Sequence, residues 1–330
     1  MKHRRSFLIE HRAFAIGYCR SGKPDGSPPL WLSALLAVFL LPLPVPAHDS
    51  PEHVVEILTA RMEVVGERPD LLWRRATEHR ALRDLPAAGR DLKRALKLNP
   101  RFLPALTDLS RVQLAQGHRR RALWTLDRAF AFVRDEPGRS PLRMLRAEIF
   151  VEAGDFEKAL VECDRALRHA EGTPLDWYLT RSQIQCRLGR FNEAVTGLQA
   201  GFELTGSAVL EVECIDAMID AGRFGEALQQ IEPILADSRW QASWLVRRAR
   251  VRLGTGDIST AHADLLAAIR ELNQRLNSPF PDPGLLTDRG LASALLGDIA
   301  PARRDLGEAK RLGADPDTVR RLEITLAALR

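Results

Sequence analysis

A glycine followed five residues later by an alanine occurs six times in this chain, as Gly117/Ala122, Gly154/Ala159, Gly189/Ala194, Gly222/Ala227, Gly256/Ala261 and Gly297/Ala302. Successive glycines stand 37, 35, 33, 34 and 41 residues apart. A period near 34 residues is that of a helix–turn–helix unit, which buries its apolar face only by stacking on further copies of itself. No segment alternates apolar and polar residues with period two, so the expectation is an all-α solenoid with essentially no sheet.

The positions around each glycine have separate physical roles. Seven residues before it lies a small residue, Ser110, Ala147, Ser182, Ala249 or Gly290, with Ile215 the exception. Nine residues after it come Leu126, Cys163, Leu198, Ile231, Leu265 and Leu306, and twelve after it Ala129, Ala166, Gly201, Ile234, Ala268 and Ala309. Offsets of five, nine and twelve share one stripe of a second helix. Small residues before and after the turn let the two helices of a hairpin approach closely. The glycine ends the first helix in a left-handed conformation that costs nothing without a side chain. One more unit precedes these without a glycine, with Ala76, Ala88, Leu92 and Ala95 in register and Arg83-Asp84 at the turn. The fifth unit, with Ile215 and Ile234 in place of small residues, departs furthest.

The agreement of many positions in many copies resembles the tetratricopeptide repeat (TPR) family, with about seven units over 69–315. Arg75, Arg146, Arg181, Arg248 and Arg289 stand where that family has leucine. The resemblance implies a right-handed α-solenoid whose first helices line a concave channel suited to an extended or helical peptide. Carried over position by position, the channel-facing residues are Trp73, Thr77, Arg80, Thr107, Arg111, Gln183, Arg187 and Arg250. Their arginines either grip carboxylates of a peptide in bidentate fashion or solvate an open face. Trp73, Trp177 and Trp244, near the starts of first helices, are expected to pack between repeats.

Outside the repeats, residues 48–68 read as an N-terminal capping helix and 316–330 as a C-terminal one. The turn-rich stretch Asp135 to Pro141 reads as a long inter-repeat loop that accounts for the 37-residue step. The 41-residue step reads as an extended second helix broken at Pro279, Pro281 and Pro283. Residues 1–47 read as a signal peptide. The apolar core Leu30 to Leu41 is shorter than the roughly 20 residues a membrane span needs, and Val45-Pro46-Ala47 resembles a cleavage site before His48. Sec-type export to the periplasm or beyond is the expectation, with an uncleaved anchor or a twin-arginine signal at Arg4-Arg5 as alternatives. An uncleaved segment is the one route to the membrane.

The formal charge of +5 belongs mostly to that leader, so the remainder is near neutral and gives no case for nucleic acid. No nucleotide loop, metal signature or nucleophile elbow is present, and no catalytic residue, metal or cofactor is expected. Cys163, Cys186 and Cys214 read as small buried hydrophobes, with a structural disulfide between two of them, permitted by an oxidising compartment, as the alternative. The functional expectation is a non-enzymatic interaction scaffold of the bacterial cell envelope that binds a protein or peptide segment in its channel. A metal-handling or enzymatic protein with a site at His48 and His53, or a self-associating module, are the alternatives. Partner identity and oligomeric state stay open.

Overall fold

The structure, a computed structural model, describes residues 50–172 and 174–329. The signal-peptide reading and His48 lie outside these residues. Helix α1 (Pro51–Val65) is followed by seven hairpins: α2 (Pro69–Ala81) with α3 (Leu85–Leu98), α4 (Leu103–Ala115) with α5 (Arg119–Phe132), and α6 (Glu136–Glu152) with α7 (Phe156–Arg168). Next come α8 (Leu175–Arg187) with α9 (Phe191–Thr205), α10 (Ala208–Asp220) with α11 (Phe224–Asp237), α12 (Ala242–Thr255) with α13 (Ile258–Arg275), and α14 (Pro283–Leu295) with α15 (Ile299–Arg311). Helix α16 (Pro316–Ala328) closes the chain. The described residues contain no strand. The architecture is the all-α repeat solenoid that the spacing predicts.

All six repeat glycines have positive φ, from 72° to 86°, and in the first repeat Arg83 takes the same place at φ 60°. The first hairpin therefore keeps the turn at the cost of a side chain in left-handed space. Every alanine five residues after the turn is fully buried. The close approach of small residues is visible directly: Ser110 Oγ donates to the carbonyl of Ala122 at 2.9 Å, and a Cβ on Gly290 would stand 3.4 Å from the carbonyl oxygen of Ala302. The fifth hairpin, where Ile215 replaces the small residue, is packed less closely than the others. First helices of consecutive repeats approach closely at every junction except that between the third and fourth repeats, where the approach is looser, and consecutive second helices do not approach as closely. The first helices thus form the inner side of the array.

Two readings are corrected or completed here. Residues 135–141 are not a loop. Asp135 caps α6 by accepting from the Gly138 N–H at 2.7 Å, Pro137 lies in the first turn, and Pro141 sits within the helix. The 37-residue step comes from a first helix of 17 residues, because an aspartate followed by proline starts helices as readily as it marks turns. The arginines in place of leucine also gain a cause. Arg75 pairs with Asp91 through two bonds of 2.7 Å, Arg248 with Asp264 at 2.9 and 2.8 Å, and Arg289 with Asp305 at 2.8 and 2.6 Å. Arg146 reaches Glu162 at 2.9 Å.

In each of these pairs the acid lies 16 residues on, eight past the turn, and is buried. Each guanidinium also touches the preceding second helix or cap: Thr59, the Phe130 ring, Glu232 or Asn273. One arginine thereby joins three helices through bidentate or shared charge-assisted bonds. In repeat 2 the two positions hold Leu109 and Thr125, and in repeat 5 Cys214 and Gln230, so where the cation is missing the acid is missing too. Repeat 4 has Gly197 at the acid position; Arg181 lies over it and turns to Asp164 at 2.6 Å.

Candidate functional site

The predicted channel residues fall into two groups on the inner face. In repeats 1 and 2, Trp73, Arg80 and Arg111 converge on one carboxylate, Asp108. Trp73 Nε1 donates to Oδ2 at 2.7 Å, and Arg80 and Arg111 donate to Oδ1 at 2.8 and 3.2 Å. The Trp73 ring stands edge-on to Phe102 with centroids 6.2 Å apart, which ties the first repeat to the second. Asp108 thus fixes the indole and both guanidiniums, and Arg111 remains exposed. The Glu148 carboxyl of the next first helix is raised by burial, against the pull of Arg111. Thr77 and Thr107 donate to the carbonyls of Trp73 and Leu103 within their own helices.

The second group, Gln183, Arg187 and Arg250, lies over repeats 4 to 6 and meets the C-terminal helix. There the hub is Asp216, 1% exposed. Arg247 donates to it at 2.9 and 3.2 Å, Arg321 of α16 donates at 3.3 Å across 105 residues of sequence, and Arg250 bonds its other oxygen. Arg250 also holds Asp220 at 2.6 Å. Burial alone pushes the Asp216 carboxyl up, but the guanidiniums of Arg247, Arg321 and Arg250 outweigh it and hold the group well below the usual carboxylate range. Arg187 stands 3.8 Å from Asp317 of α16 and lies over the Phe156 ring at 5.8 Å.

Helix α16 buries Val319, Leu322 and Leu326, and Leu322 packs so tightly on α14 that a Cβ on Gly290 would meet it at 2.7 Å. Its polar side therefore faces α8 and α10 and leaves a cavity of about 410 Å³ between them. Gln183, Cys186, Glu213, Asp220, Arg250 and Arg320 line it. Burial, followed by the charge of Asp216, pushes the Glu213 carboxyl up to about 7. The Cys186 thiol is pushed up to about 11, chiefly by burial.

Asp108, Asp216, Asp220, Glu213, Arg247 and Arg321 were not among the predicted residues. A signal for some of them was present. Asp108, Glu213 and Asp288 all stand nine residues before the repeat glycine, and the position six before it reads Thr77, Arg111, Glu148, Gln183, Asp216, Arg250 and Leu291. Nothing in the repeat register points to Arg321.

Among the described residues no group of three histidines, cysteines or acids is placed to hold a metal ion. His53 lies 3.8 Å from Glu56. Among the described residues Cys163, Cys186 and Cys214 are free thiols, with Cys163 and Cys214 buried, and burial raises those two to about 12 and about 11. No described helix is long and apolar enough to cross a membrane.

No family model matches the sequence, and no curated protein matches it either. Solved structures do. A tetratricopeptide repeat protein from Parabacteroides merdae superposes with a TM-score of 0.55 at 17% identity, over 78% of this chain and 98% of that one. The C-terminal part of a TPR repeat-containing protein from Cytophaga hutchinsonii gives 0.53 at 13% identity, over 76% and 99%. At such identity the likeness concerns the fold, and the fold is of the TPR type.

Proposed function

We propose that the chain is an exported, non-enzymatic scaffold of the bacterial envelope that holds an extended or helical segment of a protein partner against the inner face of repeats 1 to 3. The observation that carries this reading is the contrast between the two parts of that face. Over repeats 4 to 6 the protein's own helix α16 lies against it. Over repeats 1 and 2, Trp73, Arg80 and Arg111 are held in place by Asp108, with Arg111 exposed. Side chains fixed before binding lose little freedom when a partner arrives. An indole beside guanidiniums suits a segment carrying both an apolar and an acidic residue. The near-neutral repeat region favours protein over nucleic acid as partner.

The test is capture of partner from an envelope extract by variants of the exported chain. Arg111→Ala and Trp73→Ala should each lose most of the captured protein, since truncating an anchor commonly costs about 2 kcal/mol or more. Arg128→Ala, Arg165→Ala and Arg304→Ala, on second helices, should capture normally. Equal capture by both sets would place the partner elsewhere. N-terminal sequencing from the native host should begin at His48, and a full-length cytoplasmic chain would defeat the export part of the reading.

A further inference from the structure

The turn of the second repeat differs from the other turns in its charge. In four repeats the residue after the turn position is Asp84, Asp155, Asp257 or Asp298, an acid at the positive end of a second helix. In two more it is an arginine with a partner: Arg190 donates to Glu157 at 2.8 Å and Arg223 to Glu226 at 2.8 Å. In the second repeat it is His118, followed by Arg119, Arg120 and Arg121, and the His118 side chain does not cap α5. Cations here add to the positive field of the helix end, and the first-turn N–H groups have no intrahelical acceptor. Arg119 finds the Glu152 carbonyl at 2.7 Å, whereas the Arg121 side chain has no ion pair or hydrogen bond among the described residues.

Opposite this turn, helix α3 presents more unmatched charge. The exposed side chains of Arg90 and Lys93 have no partner among the described residues, Arg94 is taken by Glu67, and Asp91, the one acid on α3, is turned into its pair with Arg75. Between the two elements lies a cavity of about 470 Å³ lined by Arg90, Lys93, His118 and Arg121 and by the carboxamides of Gln113 and Gln116. The Gln113 carbonyl oxygen accepts from Thr125 at 2.8 Å, which leaves its amide group as a donor. Among the described residues no carboxylate and no phenylalanine, tyrosine or tryptophan lines the cavity, and its one ring is the His118 imidazole. Two guanidiniums and an ammonium around one space, beside a helix N-terminus, lack only an anion.

We propose that this cavity binds a phosphomonoester or pyrophosphate group. Arg90 and Arg121 supply paired N–H donors, Lys93 a point charge, and the first turn of α5 its free N–H groups. A single carboxylate would leave most of the charge unmatched, whereas a dianion with several oxygens satisfies it. The chain outside its basic leader is near neutral and offers no extended basic footprint around the cavity, so the site reads an isolated phosphate group and not a nucleic acid.

The full chain is titrated by calorimetry with pyrophosphate and with glycerol 3-phosphate, and is sedimented with phosphatidylcholine vesicles containing phosphatidic acid. Saturable binding to one site per chain is expected, weakened at least about tenfold by Arg90→Ala and by Arg121→Ala and left unchanged by Arg304→Ala. The two test side chains are exposed and unpaired, so the ligand-free variants should melt with the parent. Binding of the soluble probes assigns a soluble ligand, and variant-sensitive binding of the vesicles alone assigns a lipid headgroup. Either outcome supports the site. No binding of any probe, or equal binding by the double variant Arg90→Ala/Arg121→Ala, overturns it.

Discussion

The inner face of the solenoid carries two carboxylate hubs built from the same residue types, and they serve different ends. Asp108 sits between repeats 1 and 2, is partly exposed, and holds three donors that belong to those two repeats. Asp216 sits under repeats 5 and 6, is almost fully buried, and gathers two donors from α12 and one from the far end of the chain. The first arrangement orders side chains on an accessible surface. The second locks a distant helix onto the array and closes that part of the face. Depth of burial separates the two, because a fully buried carboxylate with three guanidiniums must keep them all, while a partly exposed one exchanges partners with water.

The largest effect should follow from breaking the buried hub. Asp216→Ala leaves Arg247, Arg250 and Arg321 without their acceptor and should cost about 3–5 kcal/mol, read by urea unfolding. Asp108→Ala should cost much less, about 1 kcal/mol, because its arginines regain water. Equal losses would erase the distinction between the hubs.

A middle-sized effect concerns the arginines that tie second helices together at both ends of the array. Arg289→Leu alone strands the buried Asp305 and should cost about 2 kcal/mol. The double change Arg289→Leu/Asp305→Thr copies the Leu109/Thr125 pair of repeat 2 and should recover most of that loss. If the double variant is no better than the single one, the correlated replacement among repeats has another cause.

The smallest effect is one of pH and is followed at the closed region. The Glu213 carboxyl is pushed up to about 7 from an ordinary value of 4.5 by burial and by Asp216, against Arg321 and Arg247. Between those values the folded chain binds the proton more tightly than the unfolded chain, so stability falls as pH rises through the window. Glu213→Gln should therefore melt above the parent at about pH 8 and with it at about pH 4. An advantage that is the same at both ends would remove the titration from the account.

Much of the fold could be read from the sequence because each repeat states it again. Glycine, small residue and alanine recur at fixed offsets, so one degenerate copy such as the fifth is corrected by its neighbours. The stretch 135–141 was misread because Asp135 and Pro137 suit a turn and a helix start equally, and only the Gly138 N–H bond decides between them. The site was half legible. Trp73, Arg80, Arg111 and Arg250 follow from position within the repeat, but their acceptors vary in position and in the repeat that supplies them. The meeting of Arg321 with Asp216 lay beyond any local pattern, since it depends on how the fourth to seventh hairpins curve to bring α16 back against α8 and α10.

That return of α16 is the central claim, and Cys186 reports on it directly because it lines the cavity beneath the helix. Maleimide labelling of the full chain, resolved by peptide mass spectrometry, should modify Cys186 slowly, since burial shields the thiol and raises it to about 11. In a chain ending at Ala314, with helical content otherwise kept by circular dichroism, Cys186 should label fast while Cys163 and Cys214 stay slow. Rapid labelling of Cys186 in the intact chain, at the rate of an open thiol, would contradict the closed inner face.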